Sequence, residues 1–275
     1  MLLENAIGEF KADLMLMGRA ARTIEGHELE LLRLERWCVA EALDWSTLTR
    51  RQLQPYARLR AELGHSSRAN MFCTLRTFYA WSVEAGYVAM SPAAGFKTPT
   101  RPHPLPRALT LLQVRQLVAH LRENAGAGLR QARDEVLLLT ALYAGLRACE
   151  LASLRWLNID VAGGVINIRL SKMGKGRAVP IHPALREVLE KWREIQQLDS
   201  SAPVFSLNQV AIGPNRVGKI ARRYAIALSI PLTAHVLRHT FATWMLRKSG
   251  NLYAVSKSLG HSQVRQTEIY VSADV

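Results

Sequence analysis

Apolar residues recur every three or four positions through the first ninety residues, the spacing of helices with one buried face. Residues 4–17 and 23–42 read as two amphipathic helices, with Leu29, Leu32, Leu34, Trp37 and Val39 on the inner side of the second. The stretch DWSTLTRRQLQPYARLRAELG holds a third helix that ends near Gly64. A fourth follows in SSRANMFCTLRTFYAWSVEAGYV, with an apolar stripe of Phe72, Leu75, Phe78, Tyr79 and Val83 and a stop at Gly86.

The periodicity then breaks. Residues 97–107, KTPTRPHPLPR, contain four prolines, which exclude a regular helix or a central strand. This reads as a stiff extended linker, roughly 30 Å long at about 3.1 Å per residue. It divides the chain into a helical region, 1–96, and a second region, 108–275. Thr110 and Gln113 form a capping box at the start of the second region. RDEVLLLTALYAGL reads as a buried helix stopped by Gly145, and RACELASL begins another at once. The clear β signal lies next. Ile166, Ile168 and Leu170 alternate, a Gly- and Lys-rich turn follows, and Ala178–Ile181 returns as an antiparallel partner. PALREVLEKWREIQQ is helical, and the remainder reads as mostly helical. The expected class is mainly α with a small antiparallel sheet.

Charge narrows the function. Thirty-six Lys+Arg stand against 22 Asp+Glu, a formal charge of +14. That excess favours a polyanionic partner: DNA, RNA or an acidic membrane surface. The longest apolar stretch, VLLLTALYAGL, is too short to span a bilayer, and no basic amphipathic segment suits a membrane surface. The N-terminus carries Glu4, Glu9 and Asp13 and lacks the layout of a signal peptide. Cys38, Cys73 and Cys149 have no metal-ligand spacing, and are expected to be free, buried thiols in a reducing cytoplasm. No carboxylate cluster offers to hold Mg²⁺, so neither metal nor cofactor is expected.

The chemistry gathers in the second region. Arg147 stands just after Gly145, at a helix start whose N–H groups favour an anion. Lys172 lies in the hairpin turn. His235 and Arg238 are one helical turn apart and share a face. His261 follows a glycine, and Tyr270 comes nine positions later. Singly, each is an ordinary surface or core residue. In order, they read Arg in AGLRACEL, Lys in the β turn, His-x-x-Arg in HVLRH, His in LGH, then Tyr.

This ordered set resembles the tyrosine recombinase (phage integrase) family, in its Xer-like group, and the likeness extends over nearly the whole chain. It implies a helical, SAM-like core-binding domain at 1–96, a catalytic domain at 108–275, and a C-shaped clamp on double-stranded DNA. It implies roles as well. Tyr270 is the nucleophile, Arg147 and Arg238 stabilise the phosphoryl transition state, and His235 assists the phenol. Lys172 protonates the leaving 5′-oxygen, and His261 bonds a non-bridging oxygen. The product is a 3′-phosphotyrosyl link, formed without ATP or metal. Two rounds of exchange through a Holliday junction, usually in a tetramer, recombine two sites; a second recombinase sometimes shares the tetramer. The implied location is the cytoplasm, at the nucleoid.

Fixed cations suit this chemistry, because the transition state spreads negative charge over the phosphate oxygens. Arg68, Arg76, Lys97, Arg177 and Arg216 are expected phosphate contacts. Cys149 replaces a small hydroxyl residue of many relatives with little expected effect, and His239 is expected to be structural. Only VSADV follows Tyr270, where many relatives continue into a segment that docks on a neighbour. Assembly through other surfaces, or a shortened chain, is expected from that. A type IB topoisomerase-like enzyme and a catalytically silent DNA-binding protein are the alternatives.

Overall fold

The computed structural model describes residues 2–60, 62, 64–97, 108–168, 176–260 and 267. The chain divides into two compact units, Met1–His103 and Pro104–Val275.

The first unit contains α1 (Leu3–Leu16), α2 (Ala21–Ala40), α3 (Arg50–Leu59) and α4 (His65–Glu84). Its core is aromatic. Phe78 meets Phe10, Trp45, Tyr79 and Trp81 with ring centroids 5.4 to 5.8 Å apart. The inner face of α2 is not the one the leucine spacing suggested. Ile24, Leu31, Leu34, Trp37 and Cys38 are buried, whereas Leu29 and Val39 are exposed. Each of those two lies five positions from Leu34, about 140° around the helix. Val83, five positions after Phe78, is exposed for the same reason. α2 also buries Glu30, which accepts from Tyr56 Oη at 2.7 Å and pairs with Arg33 at 3.1 Å and Arg60 at 3.3 Å.

The second unit begins with α5 (Leu111–Asn124), capped by Thr110 and Gln113 as the sequence predicts. α6 (Leu129–Ala144) runs through the middle of the unit. It is buried along nearly its whole length and packs against α5, α8 (Pro183–Gln196) and α10 (Ala234–Ser249). Charge is carried inside it: Asp134 is fully buried, bonded by Arg133 at 2.9 Å and by Arg223 of α9 (Pro214–Leu228). A three-stranded antiparallel sheet follows the short α7 (Ala148–Ser153), with β1 (Ile159–Asp160), β2 (Val165–Ile168) and β3 (Arg177–Pro180) in that order. Ile166 pairs with Val179 and Ile168 with Arg177. Leu170 and the hairpin turn lie outside the described residues.

The stretch beyond α8 is less uniformly helical than expected. β4 (Ser206–Leu207) and β5 (Val210–Ala211) form a second antiparallel pair. Their turn places Asn208 and Gln209 at positive φ. Turns of that shape favour Asn-Gly, so Asn-Gln gave little warning. α11 (Leu252–Leu259) closes the described part of the unit. The expectation of buried thiols holds for Cys38, but Cys73 and Cys149 are exposed, each on the outer side of its helix.

Candidate active site

The site is built where α6 stops. Gly145 adopts φ +63°, and a Cβ there would overlap the Phe241 ring of α10. Glycine therefore serves both the left-handed turn and the close approach. The turn aims the Gly145 carbonyl at α10, where Arg238 Nη1 donates to it at 2.6 Å.

Arg147 is the N-cap of α7, and its own N–H donates to Glu150 Oε2 at 2.8 Å. One backbone N–H at this helix start therefore already meets a carboxylate. The anion-binding capacity sits in the side chain. Arg147 Nη1 donates to Glu150 Oε1 at 3.0 Å and Nη2 to the Gly260 carbonyl at 3.1 Å. Three N–H groups of Arg147 remain without a partner among the described residues, and the side chain is 35% exposed.

Arg177 corrects an expectation. It is no surface phosphate contact. Its side chain is 5% exposed, and its Nη1 and Nη2 grip the two Glu150 oxygens at 2.8 and 2.7 Å. Its Nε donates to the Ser258 carbonyl at 2.7 Å. Arg238 is as buried, with Nη2 on the Leu259 carbonyl at 2.6 Å and Nη1 3.9 Å from Glu150. Three arginines from three elements thus terminate three successive carbonyls, Ser258, Leu259 and Gly260. These belong to the C-terminal end of α11, where backbone acceptors lack helical partners.

Glu150 is the centre of this cluster. Burial alone would raise its pKa. The Arg177 bonds, the Arg147 N–H and both positive charges outweigh burial and bring it down to about 2. It is therefore an anion that orients cations. Sequence reading missed it, although Glu three positions after Arg147 is the spacing of a helix-capping acid.

His235 opens α10 behind the Thr233 cap and meets His239 edge-on, with centroids 4.1 Å apart. His235 keeps solvent contact. Crowding on its packed side, then the Arg238 and Arg147 charges, lower its pKa from the ordinary value. Its neutral form, the one that accepts a proton, is thereby favoured.

The structure therefore brings Arg147, His235 and Arg238 together. Lys172, His261 and Tyr270 lie outside the described residues. Of the other expected DNA contacts, Arg76, Lys97 and Arg216 are exposed. Arg68 is partly buried, with Nη2 3.3 Å from His65 Nδ1. Arg216 shares α9 with exposed Lys219 and Arg222 at three-residue intervals, and α9 carries no acidic residue. Among the described residues, no group of three or more His, Cys, Asp or Glu could hold a metal ion. No described helix is long and apolar enough to cross a membrane.

The chain is similar to known proteins along nearly its whole length. Residues 107–275 match the phage integrase family, and residues 7–86 match the phage integrase N-terminal SAM-like domain. The chain is 31% identical to tyrosine recombinase XerC of Xylella fastidiosa (strain 9a5c), covering 94% of this chain and 88% of that protein. It is 32% identical to tyrosine recombinase XerC of Xanthomonas campestris pv. campestris (strain B100), covering 98% and 84%. Among solved structures, its fold is similar to the XerH site-specific recombinase bound to palindromic difH, with TM-score 0.76 and 20% identity over 91% of this chain and 76% of that one. It is also similar to a lambda integrase (75–356) dimer bound to a core site, with TM-score 0.77 and 17% identity over 98% and 95%. The arginine cluster at the end of α6 therefore stands in a chain that belongs to the phage integrase family of tyrosine recombinases.

Proposed function

We propose that the protein is a site-specific DNA recombinase that breaks and rejoins strands through a tyrosine. The observation that supports this best is the convergence of Arg147 and Arg238 on one carboxylate and one helix end, beside His235, whose neutral form is favoured. Arg147 keeps free N–H groups for a phosphate oxygen, and a guanidinium serves such an oxygen with paired, charge-assisted hydrogen bonds.

In the proposed reaction the Tyr270 phenol oxygen attacks the scissile phosphorus, and His235 receives the phenolic proton. Arg147, Arg238 and His261 hold the non-bridging oxygens as charge builds. The bond from phosphorus to the 5′-oxygen breaks, and Lys172 protonates that oxygen. One phosphodiester becomes a 3′-phosphotyrosyl ester and a free 5′-hydroxyl, so bond energy is conserved. Attack by a 5′-hydroxyl from another duplex reverses the step and joins new ends. Two rounds on paired sites pass through a Holliday junction. We assign the work to a tetramer, of this chain alone or with a second recombinase, in the cytoplasm at the nucleoid. Arg68, Arg76, Lys97 and Arg216 are the proposed phosphate contacts. Such contacts position the protein without specifying sequence.

Covalent trapping tests the reading. The protein is incubated with nicked DNA from its source genome and quenched in detergent, and protein-linked DNA is recovered. Adducts on 3′ ends at one sequence, absent from Tyr270→Phe, are expected. Scattered adducts would point to a DNA-relaxing enzyme instead. Equal adducts from Tyr270→Phe would remove the nucleophile from the proposal.

A further inference from the structure

A cavity of about 410 Å³ opens between the end of α5, the first half of α6, and α8. That size lies within the ~300–1,000 Å³ of small-ligand pockets. Val136, Val188 and Trp192 make a buried apolar wall. Glu135 is set into this wall and is only 9% exposed. Among the described residues no hydrogen bond or ion pair reaches its carboxylate. Arg122, from the last turn of α5, lines the same cavity and closes on no carboxylate either. The remaining charges there, Glu187 and Lys191, are paired with each other at 2.7 Å.

Two facts make this more than a dent in the surface. The Glu135 side chain is buried in this wall, while its carboxylate oxygens stay open to the cavity. Burial accordingly raises its pKa, with Arg122 and Lys191 pulling it back and Glu187 opposing them. Secondly, Glu135 and the exposed Arg122 stand in one cavity and form no ion pair with each other among the described residues. Groups left in that state at one place are what a ligand of matching charge would complete.

We infer that this cavity binds a small amphipathic zwitterion. Its ammonium bonds Glu135, its carboxylate meets Arg122 at the rim, and its apolar body lies against Val188, Trp192 and Ile195. The site is separate from the arginine cluster. Glu135 precedes Gly145 by ten residues on the same helix, about 15 Å away. The inference does not rest on the recombinase reading.

Calorimetric titration of the full chain tests it. Leucine, phenylalanine and 6-aminohexanoate serve as zwitterions, and hexylamine and hexanoate as single-charge controls. At least one zwitterion is expected to bind, and to weaken about tenfold or more in both Glu135→Gln and Arg122→Gln. Hexylamine binding should depend on Glu135 alone, and hexanoate binding on Arg122 alone. Failure of all three zwitterions to bind, or unchanged affinity in Glu135→Gln, overturns the inference. Thermal melting supplies a second arm, because Glu135→Leu removes an unpaired charge from an apolar wall. It should melt no lower than the wild type. A lower melting temperature would mark the carboxylate as structural and would also overturn the inference.

Discussion

Each unit of the molecule buries one glutamate among arginines, and the two clusters differ instructively. Glu30 in the first unit receives Arg33, Arg60 and the Tyr56 hydroxyl, and so ties α2 to the end of α3. Glu150 in the second unit receives Arg147 and Arg177, with Arg238 close by. Both are buried acids with arginine partners, so that motif alone does not mark a reactive site. What separates them is where the cations go next. The Glu150 arginines continue to the carbonyls of Gly145, Ser258, Leu259 and Gly260, and Arg147 keeps an open edge. Arg33 is 39% exposed and Arg147 35%, so exposure does not separate the clusters; the anchoring of the Glu150 arginines on backbone carbonyls does. Bulk charge repeats the contrast. Residues 104–275 hold 23 Lys+Arg against 11 Asp+Glu, while residues 1–103 hold 13 against 11.

The sharpest way to break this comparison is Arg147→Ala. It removes the open edge and leaves Arg177 on Glu150, so DNA cleavage should fall roughly 10²-fold or more while melting changes little. Single-turnover cleavage beside a melting curve checks the split, and equal loss in both would reduce Arg147 to another Arg33.

Next in size is Glu150→Gln, which should destabilise the protein by about 3 kcal/mol by leaving buried guanidiniums uncompensated. The same group makes stability depend on acid. Its folded pKa of about 2 lies below the ordinary 4.5. Its contribution is therefore fully present above about pH 4.5 and is lost as pH falls through 2. Denaturant titrations of wild type and variant across that window should converge at the acid end.

Glu30→Gln should cost about 1–3 kcal/mol and leave the cleavage rate of bound complexes unchanged. Reduced cleavage there would erase the distinction between the clusters. The smallest effect is a displacement. Because His235 titrates below its ordinary value, the acid limb of the cleavage–pH profile should lie below pH 6.5. His235→Gln should flatten that limb, read from initial rates across pH.

Elements with a single strong periodicity were legible in the sequence. The capping box at Thr110, the stop at Gly145 and the β2–β3 pairing stand where the pattern puts them. The buried side of α2 was not, because a leucine-rich helix offers more than one apolar face and packing chooses between them. Arg147, His235 and Arg238 were found as chemistry-bearing side chains at telling positions. Glu150 and Arg177 escaped for a different reason. An acid and an arginine 27 positions apart look like solvated surface until β3 folds back on α7. The carbonyls of Ser258, Leu259 and Gly260 carry no side-chain signal at all.

Those carbonyls have a thermodynamic consequence. A free arginine side chain carries about 2 kcal/mol of rotamer entropy, which an incoming ligand must otherwise suppress. In Arg147 and Arg238 the end of α11 and the turn at Gly145 have already fixed the guanidinium planes. The ordering is completed when the protein folds rather than when a phosphate arrives. A phosphate that reached the open edge of Arg147 would meet a guanidinium already placed, and less of its binding free energy would go into ordering that side chain.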